Sequence, residues 1–225
     1  MIVAMLTLQG ISIGRFKVRR IMRQLGLISR QKHNHRYQLS FSELPTLANQ
    51  RNRNFSPEKP NKVWTSDITY IWTGRQWSYL AIILDLFTRR IIGHAFSNRA
   101  DSSLVLLALE MAWQNRHPPK YCVFHSDQGS QYTSQQLRNY LKQHHMVQSM
   151  SRRGNCWDNA PTERVFRSLK TERVPKSGYR NIDEAKADIT DYLMNYYNYR
   201  RPHSYNQGLP PAINENRLLS MSENT

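Results

Sequence analysis

From Val63 onward the chain changes from a polar, proline-punctuated stretch to dense apolar runs. Residues 63–72, 77–86 and 89–97 predict three successive strands, joined by a turn at Gly74 and a corner at Thr88-Arg89-Arg90. Asp101 or Ser102 then caps an apolar helix from Leu104 to Trp113, which His117-Pro-Pro119 ends. Residues 120–125 predict a short buried strand, and Thr133 or Ser134 caps a helix running to about His144. Another short strand, Met146–Ser149, leads into a polar loop containing Gly154. Pro161 falls in the first turn of the next helix, where its missing N–H costs nothing. Asp183 begins a last amphipathic helix that ends near Arg201-Pro202. Three antiparallel strands followed by alternating helices and strands predict an α/β fold, a mixed sheet covered by helices.

The front of the chain has a different pattern. Across residues 11–28, Phe16, Val18, Ile21, Met22 and Leu25 recur at helical spacing with Lys17, Arg19, Arg20 and Arg23 between them, and Gly26 is a stop. A basic amphipathic helix of this kind fits the second helix of a helix-turn-helix; an ordinary solvated charged face fits as well. Residues 29–62, with Pro45, Pro57 and Pro60, read as a linker. The opening Met1-Ile-Val-Ala-Met-Leu is apolar but short and has no basic flank, so it is not read as a signal peptide. No apolar run approaches the roughly 18–20 residues that span a bilayer, and a cytoplasmic protein without a membrane partner is expected. Cys122 and Cys156 make neither a disulfide framework nor a Cys-x-x-Cys pair, and Cys122 reads as a small core residue.

Charge narrows the class of partner. With 32 Lys and Arg against 16 Asp and Glu, the chain carries a formal +16, which points to a polyanion. Residues 1–60 hold 11 basic and 2 acidic residues, so the front is the expected docking arm, whereas residues 161–225 hold 10 and 8.

Against that background three acids stand in unusual places. Asp67 interrupts the run from Val63 to Trp72, where Asp is depleted in strands. Asp127 follows Tyr121-Cys-Val-Phe-His125 and opens a turn, and Glu163 lies in the first turn of a helix. Taken singly, Asp127 also fits an Asx turn and Glu163 a helix-dipole acid. Asp85 reads as a hairpin-end residue, Asp101 and Asp158 as caps, and Glu172 as an exposed acid at a helix end. Carboxylates set into a core need a cationic partner. In so basic a chain, two divalent ions acting on a phosphodiester are the expected one, held in a single pocket by the three acids.

The motifs Trp64-Thr-Ser-Asp-Ile-Thr-Tyr70, Leu84-Asp-Leu-Phe-Thr-Arg-Arg-Ile-Ile-Gly93, His125-Ser-Asp-Gln-Gly-Ser-Gln-Tyr-Thr-Ser134, Ser151 to Pro161, Glu163 to Glu172, Tyr196 to His203 and Leu209-Pro-Pro-Ala212 carry a resemblance across roughly residues 11–212. The chain resembles the second reading frame of insertion-sequence transposases of the IS-three type, within the DDE integrase superfamily. The resemblance implies a ribonuclease H-like core with a mixed five-stranded sheet flanked by helices, preceded by a partial helix-turn-helix. It implies that Asp67, Asp127 and Glu163, with 35 residues between the last two, are the catalytic, metal-binding triad. It further implies two Mg²⁺ ions, with Mn²⁺ able to substitute, and metal-dependent nicking at transposon ends followed by 3′-hydroxyl strand transfer. The implied partners are double-stranded DNA, further copies of the chain, and an upstream-frame protein joined by frameshifting. Relatives carry a longer region before the helix at 11–28, so the front is expected to be short. The alternatives are a ribonuclease H-type nuclease that never joins strands and an inactive DNA-binding remnant.

The expected division is 1–30 partial helix-turn-helix, 31–62 basic linker, 63–175 catalytic core, and 176–225 helical extension and tail. Lys170 matches a basic residue that contacts transposon-end DNA, and it shares a helix face with Glu163 and Arg167. Arg152 and Arg153, in the loop before the glutamate helix, fit either a DNA clamp or a free surface loop, and Arg19, Arg20 and Arg23 line the front helix. His125 and Gln128 flank Asp127 and are read as orienting it or its water. Tyr196, Tyr197, Tyr199 and His203, with Arg200 and Arg201, mix aromatics and charge as DNA-facing surfaces do. His33 and His35 lack paired cysteines, so no zinc module is expected.

Overall fold

The structure is a computed structural model describing residues 1–28, 57–151 and 160–223. The linker's central part, His33, His35, Arg152, Arg153, Cys156 and Asp158 lie outside the described residues.

Two helices open the chain, α1 (Ile2–Leu8) and α2 (Arg15–Gln24). The apolar opening is thus a helix, and α2 is shorter than the 11–28 pattern because Gly14 sits extended at its start and Leu25 leaves helical geometry at its end. Of the apolar positions on α2 only Val18 is buried; Phe16, Ile21 and Leu25 are exposed.

From Val63 to Arg200 the predicted order of elements holds, and beyond it stands a helix the pattern did not predict. Strands β1 (Val63–Trp72), β2 (Trp77–Asp85) and β3 (Arg90–Ser97) form an antiparallel meander. Helix α3 (Ser102–Arg116) returns the chain to β4 (Val123–Ser126), and α4 (Gln135–Gln143) returns it to β5 (Val147–Met150). Both β4 and β5 add in parallel, giving the order β3-β2-β1-β4-β5. Asp101 and Ser134 cap α3 and α4, accepting from the Leu104 and Leu137 amides. Then come α5 (Ala160–Glu172), α6 (Ile182–Thr190), a π-helical segment Asp191–Arg200, a short 3₁₀ turn Ser204–Asn206, and α7 (Pro211–Glu223).

The sheet is packed on both faces. In β2, Ala81 and Ile83 face a core built with α3 and α4, while Leu80, Ile82 and Leu84 face one built with α5, α6 and the π-helical segment. A strand buried on both sides shows an unbroken apolar run, which is why β2 reads so clearly in sequence. Gly93 on β3 lets α3 approach: a Cβ there would stand 2.9 Å from the Ala112 Cβ and collide with the Ala108 carbonyl.

The last helix departs from the regular α-helix expected after Asp183. Between Asp191 and Arg200 the buried residues are Tyr192, Leu193, Tyr197 and Asn198, two pairs spaced five apart. A widened turn keeps both pairs on the sheet, where a 3.6-residue turn would rotate one away. Asn198 then bonds the edge strand on both sides, donating to the Ile91 carbonyl at 2.9 Å and accepting from the Ile91 amide at 3.0 Å. That closes part of an edge that would otherwise be open to pairing.

Two acids read as peripheral prove structural. Asp85 is fully buried and held by Arg116 at 3.1 Å and by the amides of Asn61 and Phe87. Burial raises its pKa despite those partners. Glu172 is gripped by Arg201 at 2.7 Å and accepts from the Tyr192 hydroxyl.

Candidate active site

Asp67 is the fifth residue of β1, with its side chain on the α5 face of the sheet, in step with Val63 and Ile71. The neighbouring strand β4 runs parallel with Val63 opposite Val123, Trp64 opposite Phe124 and Thr65 opposite His125. The offset of 60 is constant (123 − 63, 124 − 64, 125 − 65), and 127 − 67 repeats it. The registered pairing stops at Thr65–His125, and Asp127, one residue past the end of β4, follows it at the carboxyl end of the strand that runs beside Asp67's. A Ser66 hydroxyl on the other face, bonded to the Tyr132 hydroxyl at 2.9 Å, ties β1 to the segment that follows Asp127.

Glu163 arrives from above. Thr65, two residues before Asp67 and so on the same face, meets Thr162 at 2.9 Å hydroxyl to hydroxyl, with both residues fully buried. That contact pins the first turn of α5 onto β1, and Glu163 is the next residue along. Neither threonine was singled out in the sequence. The signal available was the alternation that puts Thr65 on Asp67's side, but its partner lies 97 residues away.

The electrostatics report the convergence. The Asp67 carboxyl is raised to about 7, first by burial, then by Asp127 and further by Glu163, while the Ile68 amide and Lys170 pull the other way. Three carboxylates and one ammonium thus share a neighbourhood. The Ile68 amide donates to Asp67 Oδ1 at 2.8 Å and the Gly129 amide to Asp127 Oδ1 at 2.9 Å, the latter an Asx-type turn.

The acids do not, however, close into the expected pocket. Among the described residues no group of three or more His, Cys, Asp or Glu is drawn together tightly enough to hold a metal ion. Burial is the first cause of Asp67's raised pKa, and the neighbouring charges of Asp127 and Glu163 add to it. By chemistry the donor set fits: carboxylate oxygens with no thiolate or imidazole are what a hard ion such as Mg²⁺ takes.

The other expected residues separate. Lys170 lies on α5 within the field of Asp67 and sets its ammonium 4.2 Å from the centre of the Tyr70 ring. Arg167 is exposed on the same helix, and Arg19, Arg20 and Arg23 are exposed on α2. His125 is buried and its Nδ1 meets the Ser149 hydroxyl on β5 at 3.0 Å, which braces the β4–β5 pair. Tyr197 is buried while Tyr199 is exposed, and Arg201 is engaged with Glu172. Burial, with Arg201, Arg89 and Arg164 nearby, lowers His203 to about 4.

A meander of three antiparallel strands extended by two parallel ones, with acids at the centre, at a strand tip and on a covering helix, defines an integrase-type core of ribonuclease H-like fold. Solved structures agree on the fold. The HTLV-2 integrase catalytic core domain in complex with magnesium superposes with a TM-score of 0.53 at 14% identity, over 70% of this chain and 98% of that one. The BIV integrase core gives 0.52 at 14% identity, over 72% and 99%. The family described as Integrase core domain matches residues 57–156, and a second family of the same description matches residues 144–211. The chain is 38% identical over 214 residues to an uncharacterized 31 kDa protein of insertion element IS600 from Shigella sonnei, covering 95% of this chain and 79% of that protein. It is 38% identical to the transposase of IS904 from Lactococcus lactis, over 87% and 78%. With the IS3A transposase InsF of Escherichia coli K12 it shares 37% identity over 79% of this chain and 62% of InsF. The chain belongs to the IS3-type family of insertion-sequence transposases.

Proposed function

We propose that this chain is the catalytic subunit of a DNA transposase that nicks element ends and joins the freed 3′-hydroxyl to a second phosphodiester. The observation that carries this reading is that Asp127 and Glu163 both act on the Asp67 carboxyl, with Asp127 following the strand parallel to β1 and the first turn of α5 held on β1 by the Thr65–Thr162 contact. Asp67, Asp127 and Glu163 would hold the divalent ions, Mg²⁺ or Mn²⁺; when bound, these supply activation of the attacking oxygen and neutralisation of charge on the leaving one. With its pKa near 7, Asp67 keeps a proton on part of the population at neutral pH, and a bound cation would favour its ionised form. Lys170, within the field of Asp67, would hold a phosphate oxygen beside the acids. Arg167 and the α2 arginines act further out, on the DNA backbone.

The test is incubation of the protein with Mg²⁺ or Mn²⁺ and labelled element-end DNA, followed by separation of cleaved and joined products. Cleavage with joining is expected. Cleavage alone indicates a nuclease, and binding without either product an inactive remnant. Asp67→Asn, Asp127→Asn and Glu163→Gln should each abolish turnover while leaving DNA binding nearly unchanged, because phosphate contacts come from Lys and Arg. A variant with near-normal turnover removes that residue from the triad.

A further inference from the structure

At the far end of β1 lies a groove of about 330 Å³ that the proposed chemistry does not use. Tyr70 and Trp72 of β1, Trp77 of β2, Lys170 of α5, and Pro175 and Lys176 of the following loop line it. Trp77 stands nearly perpendicular to Tyr70, with centroids 5.0 Å apart, and 5.2 Å from Trp72. These ring contacts hold its orientation, yet 49% of its surface is open, as is 55% of Tyr70. The groove's wall is built closely. Tyr179 donates its amide to the Trp72 carbonyl at 3.0 Å, and Gly178, at φ +78°, lies so near that a Cβ would stand 2.6 Å from Trp72 Cδ1. At the β1–β2 turn, a Cβ on Gly74 would meet the Arg180 carbonyl at 2.5 Å. The loop after α5 is therefore fastened to the hairpin, and the aromatic wall is fixed rather than collapsed.

The geometry points to a binding site for an unpaired nucleotide of the DNA strand whose phosphates pass the three acids, with its base stacked on Trp77 and its backbone held by Lys170 and Lys176. This rests on the transposase reading above. A lining of aromatic rings and lysines matches the two faces of a single strand, a flat base and an anionic backbone. An apolar peptide would have no use for the two lysines, and a duplex keeps its bases stacked on one another. Lys170 links the groove to the acids: it lines the groove and lies within the field of Asp67. Tyr70 to Trp72 stand three to five residues along β1 from Asp67, roughly 10–17 Å at the rise of a strand. A strand leaving the acids reaches that far within a few nucleotides.

The test is fluorescence anisotropy of the full chain with labelled oligothymidylate and with a blunt duplex at one fixed salt concentration. Stacking of about 1–3 kcal/mol per base predicts that Trp77→Ala weakens oligothymidylate binding by roughly 5- to 150-fold. Duplex binding should change by less than about two-fold, since it rests on phosphate contacts. Trp77→Phe should restore most of the loss. Unchanged oligothymidylate affinity in Trp77→Ala, an equal loss on duplex, or displacement of the strand by an apolar peptide without loss in the variant overturns the proposal. If Trp77→Ala fails to fold, photocross-linking of 5-iodouracil DNA to the unaltered protein decides. Adducts at Trp77 or Tyr70 support the groove, and adducts confined elsewhere refute it. Cleavage and joining by the unaltered protein with no Trp77 effect sinks the groove alone. A Trp77-dependent strand complex with no cleavage sinks the transposase reading alone.

Discussion

Burial and two neighbouring acids together raise the Asp67 carboxyl to about 7, and the consequences are measurable. The folded protein keeps its proton up to a pH of about 7, whereas the unfolded chain releases it near 3.8. Between those values the folded state binds more protons, so its stability falls as pH rises through the window and levels off above it. In the presence of a chelator, Asp67→Asn should therefore melt higher than the unaltered protein at pH 8, and the two should converge towards pH 4. The difference is on the order of a few kcal/mol, at about 1.4 kcal/mol per pKa unit. Added Mg²⁺ should raise the melting temperature of the unaltered protein more at pH 8 than at pH 5, because the ion binds the ionised form. Equal Mg²⁺ shifts at both pH values would separate the acids from metal binding. His203 runs in the opposite sense. Its pKa of about 4 lies below the usual 6.5, so its contribution is complete above pH 6.5 and is lost as pH falls towards 4.

At the scale of elements, hydrophobic pattern was an accurate guide wherever burial was even. The apolar runs of β1 to β3 and the capped starts of α3 and α4 match their predicted places to within a few residues. The pattern failed where the backbone answers to a distant partner. Nothing local marks the π-helical turn, which exists because Tyr192, Leu193, Tyr197 and Asn198 must all reach the sheet. The same applies to Gly93, whose value is the space it leaves for α3. Gly93→Ala should cost about 1–3 kcal/mol, the usual penalty for overpacking, and more if α3 is displaced. Equilibrium urea unfolding measures it, with an unchanged midpoint the result that would show the contact to be loose. Removing the edge bridge by Asn198→Ala should cost about 1–2 kcal/mol by stranding the Ile91 amide and carbonyl, read in the same experiment.

Across the whole molecule, one charged cluster joins parts far apart in sequence. Arg116 at the end of α3 contacts Asp85 at the end of β2 at 3.1 Å and Glu215 on α7 at 2.6 Å, and Arg90 meets Glu215 at 3.0 Å. Thr88 adds a hydrogen bond to Glu215 at 3.1 Å. Burial opposes ionisation of Glu215, but Arg116 and Arg90 hold its pKa below the usual range. Arg116→Met leaves the buried Asp85 and Glu215 without their shared guanidinium and should cost about 3–5 kcal/mol. Thermal unfolding checks this, and a loss under about 1 kcal/mol would mean that Arg90 and the neighbouring amides suffice. DNA affinity is a property of the same scale. Arg19, Arg20 and Arg23 are exposed on α2, so replacing all three with Ala should reduce the slope of log affinity against log salt by up to about 3. An unchanged slope would move the docking surface off α2.

Sequence alone determined the order of strands and helices as far as Arg200, the strongly basic charge, and the odd setting of Asp67 inside an apolar strand; Asp127, by contrast, is exposed and Glu163 half-buried. Those features are local, because burial imprints its period on neighbouring residues and an acid inside an apolar run stands out against them. The tertiary structure decided what those residues meet: that Asp127 follows a strand parallel to Asp67's, that a threonine pair seats the first turn of α5, and that Asp85 belongs to a structural lock. Those contacts join residues far apart in the chain, so no local pattern encodes them.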